Sequence, residues 1–360
     1  MPDRSDIRTP VSILTGFLGS GKTTLMNRAL RDPAMARTAV IINEFGEISI
    51  DHALTTASND TILVLENGCL CCTVFGDLVQ TLNRLYHARE AGEVMFDQIV
   101  IETSGLADPA PVLQAFLSEP TLAGLFLVRT VIATVDAVNA TPTLAEHNVS
   151  VRQVALADEL LITKLDLIAA EERHAVEAQL TARLRHCNAT ARITAADDAA
   201  VDPVALLRHG AVDPGHDLQS TKTWLDEAMA HSHAEHAHDS SIASFSLVRD
   251  TPLPRAALQL LLSSLEKHLG PSLLRVKGLV NVAEQPDQPA VIQGAQHLLH
   301  NLTWLERWPD ADRRTRIVFI TQGIAPAELA ELVNLLDRVA QRTAHARLRA
   351  GVGQSPAGAA

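Results

Sequence analysis

Short runs of β-branched and aliphatic residues recur along the first half of the chain, with apolar residues at helical spacing between many of them. VSILT (Val11–Thr15), TAVII (Thr38–Ile42), TILVL (Thr61–Leu65), QIVI (Gln98–Ile101), TVIATV (Thr130–Val135) and ELLIT (Glu159–Thr163) read as strands, while Asp77–Arg89 and Glu171–Arg185 read as helices. Unbroken apolar strands alternating with helices predict a mostly parallel sheet covered on both faces. Such sheets bind ligands at the carboxyl ends of their strands. From about Asp197 to Ser241 the periodicity gives way to Asp, Pro, Gly and His, which predicts a linker with at most one short helix near Trp224–Met229. Beyond it SIASFSLVRD, LLRVKGLVNVA, PAVIQGAQHLLH and RTRIVFITQG read as strands, and Leu258–Leu269 and Ala327–Gln341 as amphipathic helices. The expected organisation is an α/β domain over 1–196, a linker over 197–241, a smaller α+β domain over 242–345 and a disordered tail over 346–360.

Composition narrows the function classes. Of 360 residues, 47% are apolar and 20% charged, as in globular proteins; only 3% are aromatic, too few for base-stacking surfaces. A formal net charge of −12 opposes a phosphate-backbone partner, so no nucleic acid is expected. No apolar run reaches the roughly 20 residues of a membrane span, and none precedes the first strand as a secretion signal would. The four cysteines, three of them crowded at Cys69, Cys71 and Cys72, make a poor disulfide framework and suit a reducing compartment, so a cytoplasmic protein is expected.

GFLGSGKT (Gly16–Thr23) fits G-x-x-x-x-G-K-[ST] between a strand and a helix. Gly16, Gly19, Ser20 and Gly21 would wrap backbone N–H groups around phosphates, Lys22 would reach the terminal ones, Thr23 would coordinate Mg²⁺, and Thr24 extends the set along the helix. IETSGLADP (Ile101–Pro109) supplies Glu102 at a strand end, where an acid assists Mg²⁺, and Gly105 three residues on, as in a D-x-x-G γ-phosphate sensor with Glu in place of Asp. Lys22, Glu102 and Gly105 are the expected catalytic set. Leu106 stands where many GTPases carry a water-orienting Gln, which predicts slow unaided hydrolysis or water held from elsewhere. The bland alternative for Glu102 is a surface acid ending a strand. In ITKLDL, Thr163, Lys164 and Asp166 match N-K-x-D with Thr for Asn, a pattern that reads guanine; alternatively Asp166 is a helix N-cap.

NGCLCCT (Asn67–Thr73) places Cys69, Cys71 and Cys72 within one turn before a helix. Thiolates so placed bind Zn²⁺ at about 2.3 Å and leave a fourth position open, which suits transfer. Packed free thiols or a redox pair are the alternatives. HSHAEHAH brings His231, His233, His236 and His238 into eight residues, a weak gatherer of Zn²⁺, Ni²⁺ or Co²⁺ or else a solvated spacer. Cys187, alone after a helix, reads as packed. Among the remaining histidines only His52, near NEFGE, stands out.

Taken in order, GFLGSGKTT, NEFGE (Asn43–Glu47), ENGCLCCT, IETSGLADP and TKLD resemble the CobW-like family of P-loop GTPases, and LLRVKGLVNV, VIQGAQHL and RRTRIVFI resemble that family's C-terminal domain. The resemblance covers nearly all of the chain outside the linker and tail. It implies a P-loop NTPase domain and a GTPase that handles a transition metal, Zn²⁺ or Co²⁺, for a client metalloprotein, with GTP and Mg²⁺ as cofactors. It also implies that NEFGE is the nucleotide switch and that Glu47, with Glu44 a weaker candidate, joins the cysteines around metal. Nucleotide and metal affinities would then influence each other. Rival readings are a GTPase assembling one cobalt or nickel enzyme and a metal-buffering protein with a vestigial nucleotide site. A homo-oligomer is compatible with the sequence.

Overall fold

The structure, a computed structural model, describes residues 8–44, 62–66, 73–195, 201–209, 242–269, 272–295, 298–299, 302–324 and, within 327–342, residues 327–328, 330–335, 338–339 and 341–342. The chain divides into two units, Met1–Asp213 and Pro214–Ala360.

In the first unit the elements run β1 (Thr9–Gly16), α1 (Lys22–Leu30), β2 (Thr38–Glu44), β3 (Ile62–Glu66), α2 (Thr73–Glu90), β4 (Gln98–Thr103), α3 (Ala110–Ser118), α4 (Pro120–Leu125), β5 (Phe126–Asp136), α5 (Ala140–Glu146), α6 (Asn148–Leu156), β6 (Glu159–Thr163), α7 (Ala170–Cys187), β7 (Arg192–Ala195) and α8 (Pro203–His209). The seven strands form one sheet in the order β3-β2-β4-β1-β5-β6-β7, and every pairing between them is parallel. Their continuous apolar character follows from that position: β4 and β6 are buried along their whole length, as strands covered on both faces must be. The six expected strands all form. β7 escapes notice in the sequence because RITA is too short to show a period.

One core cluster gathers Leu14, Leu25, Met26, Ala29, Val100, Ile132 and Leu161 together with Val201 and Leu207. Those last two flank or lie in α8, within the stretch read as linker. Here Ser12 Oγ donates to the Leu207 carbonyl at 2.8 Å and Arg28 to the Val201 carbonyl at 3.1 Å. Two buried aliphatic side chains and two hydrogen bonds hold that segment against α1 and β1, which the Asp, Pro, Gly and His around it conceal. Trp224–Met229 lie outside the described residues.

The second unit contains β8 (Ile242–Arg249), α9 (Arg255–Leu269), β9 (Leu273–Val280), β10 (Ala290–Ala295), β11 (Leu298–Leu299), β12 (Thr303–Trp304) and β13 (Thr315–Gln322). Its sheet runs β11-β10-β9-β13-β8, with β12 also on β10, and its ladders are antiparallel. Leu258, Leu261, Leu262, Leu265 and Leu269 of α9 pack on Val276, Val280, Ile317 and Phe319 of one sheet face, the i, i+3, i+4, i+7 stripe of an amphipathic helix. Both units thus have the α/β and α+β characters expected of them.

Candidate functional site: a phosphate cradle at the strand ends

Parallel strands put every carboxyl end on one edge of the sheet. The β1–α1 loop, the β4–α3 loop and the turn after β6 therefore converge there. Gly16, Gly19 and Gly21 have φ of 135°, 70° and 96°, a region that side-chain-bearing residues avoid. Gly16 is doubly constrained, since a Cβ on it would sit 2.5 Å from the Thr134 carbonyl oxygen. Gly19 has open space around its would-be Cβ, so its φ alone requires glycine.

Lys22 opens α1 and is 8% exposed. Its ammonium donates to the carbonyls of Gly16 at 2.9 Å and Phe17 at 3.2 Å, which holds the cation across the mouth of the loop. Ser20, whose backbone N–H is the group expected at the phosphates, turns its hydroxyl to Thr134 Oγ1 at 2.7 Å. Thr24 is exposed.

Thr23 Oγ1 donates to Glu102 Oε1 at 2.9 Å, and Glu102 is 2% exposed. A carboxylate so deeply buried is costly unless it has a charged or hydrogen-bonding task. This placement removes the reading of Glu102 as a surface acid. Two hard oxygen donors in contact beside a phosphate loop fit Mg²⁺. Next to them, Thr103 Oγ1 donates to Thr15 Oγ1 at 2.8 Å, which ties β4 to β1. Gly105 lies against the phosphate loop itself: a Cβ there would be 2.7 Å from the Leu18 nitrogen. Leu106 and Leu18 are both more than half exposed at that junction.

Thr163 ends β6, and its hydroxyl donates to the Ser20 carbonyl at 2.8 Å and the Val135 carbonyl at 3.2 Å. The threonine that replaces asparagine in the base-reading pattern thus ties that strand end to the phosphate loop. Lys164 follows in a left-handed conformation, φ 60°. Its ammonium pairs with Asp136 Oδ2 at 2.8 Å. Burial pushes the Asp136 carboxyl up, but hydrogen bonds from Lys164, Asn139 and the Val138 N–H outweigh it and hold the group below the usual carboxylate range. Asp166 lies exposed in the turn Leu165–Leu167 and caps no helix; α7 has Ala169 at its N-cap. The helix-cap alternative for Asp166 therefore falls away.

Two family models match the chain. Residues 10–194 match the CobW/HypB/UreG nucleotide-binding domain and residues 242–336 the cobalamin synthesis protein cobW C-terminal domain. The chain belongs to the CobW family. It is 33% identical over 316 residues to the zinc chaperone YjiA of Escherichia coli, covering 86% of this chain and 93% of that one. It is 31% identical to the zinc chaperone CobW of Pseudomonas aeruginosa over 92% of each chain. The crystal structure of Zn(II)-bound YjiA GTPase from E. coli superposes with a TM-score of 0.66 at 27% identity, covering 91% of this chain and 99% of that chain.

The residues expected to hold a transition metal in this CobW-family chain, Glu47, Cys69, Cys71, Cys72, His231, His233, His236 and His238, lie outside the described residues, as does His52. Among the described residues there is no cluster of three or more His, Cys, Asp or Glu side chains able to hold a metal. In sequence the cysteine segment follows β3 and precedes α2. Cys187, the free cysteine among the described residues, is 4% exposed, and burial raises its thiol to about 11, which supports packing over chemistry. Asp136, Thr134 and Thr15 belong to the site and escaped the sequence reading. Each is a polar residue within or closing an apolar strand, a signal visible only when the strand is known to end beside the phosphate loop.

Proposed function

We propose that this CobW-family protein is a GTP-hydrolysing metallochaperone that couples nucleotide turnover to delivery of a transition metal, zinc first and cobalt second, to a client metalloprotein in the cytoplasm. The observation that carries the hydrolytic half is the Thr23–Glu102 contact at 2.9 Å beside Lys22. In this reading the N–H groups of residues 16–24 bind the phosphates, and Lys22 exchanges its contacts with Gly16 and Phe17 for the β- and γ-phosphate oxygens. Thr23 and Glu102 would hold Mg²⁺, which when bound offsets charge on the transferring phosphoryl group. Asp166 accepts from the guanine edge, the Lys164 stem covers the ring, and Asp136 keeps the Lys164 head in place. Gly105 offers its N–H to the γ-phosphate. With Leu106 in the water-orienting slot, turnover is slow until another group positions water.

Zinc is cargo. Relatives named zinc chaperones and zinc-regulated GTPase metalloprotein activators support it, as does the C-x-C-C run. Cys69, Cys71 and Cys72 would bind the ion with Glu47, and the linker histidines would gather it weakly. The strand order supports coupling: β3, which leads to the cysteines, pairs with β2, which leads to the switch, and β2 pairs with β4, which leads to the sensor. Three adjacent parallel strands thus end on one sheet edge, and the stretches that follow them in sequence are the proposed metal, switch and sensor segments.

The test is Zn²⁺ affinity, by chelator competition, with GDP or a non-hydrolysable GTP analogue bound. A ratio of fivefold or more, lost when all three clustered cysteines become Ser, is the expected result, within the roughly 5- to 150-fold span of site coupling. Equal affinities in both states would leave a hydrolase without transfer. Lys22→Ala should abolish GTP turnover and keep thiolate metal binding.

A further inference from the structure

Gln153 is 1% exposed in the nine-residue helix α6 and is no part of the sequence motifs. Its Nε2 donates to the carbonyls of Gly105 at 3.2 Å and Ala107 at 3.0 Å. Both partners are acceptors only, so the amide has one orientation open to it: nitrogen toward the sensor loop, oxygen away. That oxygen accepts no hydrogen bond from a described residue. Gln153 lines a cleft with Gly16, Leu18, Thr134 and Ser150.

The same helix holds the loops at two more points. Arg152 Nε pairs with Asp108 Oδ2 of the sensor loop at 2.8 Å, with both side chains partly exposed. His147, the N-cap of α6, stacks on Phe17 of the phosphate loop at 4.7 Å between centroids and 22° between planes. One short helix therefore grips the sensor and the phosphate loop together. Of the three contacts the amide is the dry one. Solvent screens the ion pair, whereas a buried donor facing two carbonyls has no substitute when it is removed.

We infer that Gln153 is a positioning residue for γ-phosphate sensing: its amide fixes the carbonyls on either side of Leu106 and so sets where the Gly105 N–H stands relative to the phosphate loop. The inference rests on the proposed GTP turnover and deepens it. Any movement of Gly105 that follows loss of the γ-phosphate must stretch or break these two bonds, or carry α6 with it. With Gly105 meeting the γ-phosphate in the proposed reading, Gln153 acts on triphosphate binding and turnover and leaves diphosphate binding alone.

The experiment uses the full chain and compares Gln153→Met, which keeps length and removes the donor, with Gln153→Glu. For Gln153→Met we expect GDP affinity within about twofold of wild type, GTP-analogue affinity weaker by about five- to tenfold, and a matching fall in kcat/KM, the scale of one buried hydrogen bond. Gln153→Glu adds a readout that a packing role would not move. Burial raises its carboxyl, and only the protonated acid can donate. Turnover relative to wild type should be partly restored at acidic pH and lost as that carboxyl ionises. An unchanged analogue-to-GDP ratio in a folded Gln153→Met protein would overturn the inference, whatever its Tm. Should that variant not fold, hydrogen exchange of residues 104–108 in the wild type decides. Greater protection with the analogue than with GDP is expected; identical exchange rejects the role. A wild type that binds both nucleotides without hydrolysing GTP would sink the proposed function and leave the affinity ratio to judge Gln153.

Discussion

Thr163 offers the sharpest test of how the end of β6 is tied to the phosphate loop. Its hydroxyl has one proton and two acceptors, the carbonyls of Ser20 at 2.8 Å and Val135 at 3.2 Å, in a site 4% exposed. Thr163→Val keeps the shape and deletes the donor. A buried hydrogen bond contributes about 1 kcal/mol net, rising to about 3 kcal/mol where a buried partner is left unpaired. Because Ser20 begins the turn into α1, we expect the lower part of that range, about 1–2 kcal/mol. For a unit of this size that is a fall of about 2–8 °C in the thermal transition of the first unit. The same bond orders the phosphate loop, so GDP affinity should weaken by about threefold to tenfold, with 1.4 kcal/mol equal to a factor of ten. Thr163→Ser separates the contributions: it keeps the donor and loses the Cγ2 methyl, which stands 3.6 Å from where a Gly21 Cβ would be. The assay is calorimetric melting of the full chain with and without GDP, beside nucleotide titration. A valine variant as stable as wild type and equal to it in GDP binding would refute the assigned tie. A serine variant as weak as the valine one would move the credit from the hydroxyl to the methyl.

Other residues make separate demands. Gly105→Ala places a methyl 2.7–2.8 Å from Leu18 backbone atoms; overpacking of this kind costs about 1–3 kcal/mol, and turnover should fall at least about tenfold as the sensor is pushed off the phosphate loop, with wild-type kcat as the refuting result. Cys187, its thiol raised from 9.0 to about 11 by burial, should resist alkylation at pH 8 in the native chain and react only on unfolding, which mass spectrometry of the modified peptide would check. The Asp312 carboxyl is lowered from 3.8 to about 2, chiefly by its hydrogen bond from the Arg314 side chain. A depressed carboxylate stabilises the fold above the unfolded pKa and ceases to as pH falls through the folded one. The stability advantage of wild type over Asp312→Asn should therefore be complete above pH 3.8 and vanish toward pH 2, as acid titration followed by circular dichroism would show.

Much of this protein was legible in one dimension because the decisive constraints are local. A glycine at φ 135° or 70°, a lysine at the first turn of a helix and a run such as QIVI buried on both faces each leave a mark within a few residues of chain. Those marks gave the six strands, the phosphate loop, the Glu102 and Gly105 positions and the family resemblance that the matches over 10–194 and 242–336 bear out. The packing of Pro203–His209 was hidden, because the apolar run Val204–Leu207 is too short to show a helical period and its partners Leu25 and Met26 lie far away in sequence. The same holds for Asp136 under Lys164, Thr163 against Ser20 and Gln153 on the sensor loop, the last two reaching 143 residues to the Ser20 carbonyl and 48 residues to the Gly105 carbonyl. Sequence alone therefore decided which backbone shapes and which chemical groups this chain contains. Only the closing of the parallel sheet decided which of them meet, since a hydrogen bond between distant segments depends on strand order and register, and neither is written in the spacing of the residues that make it.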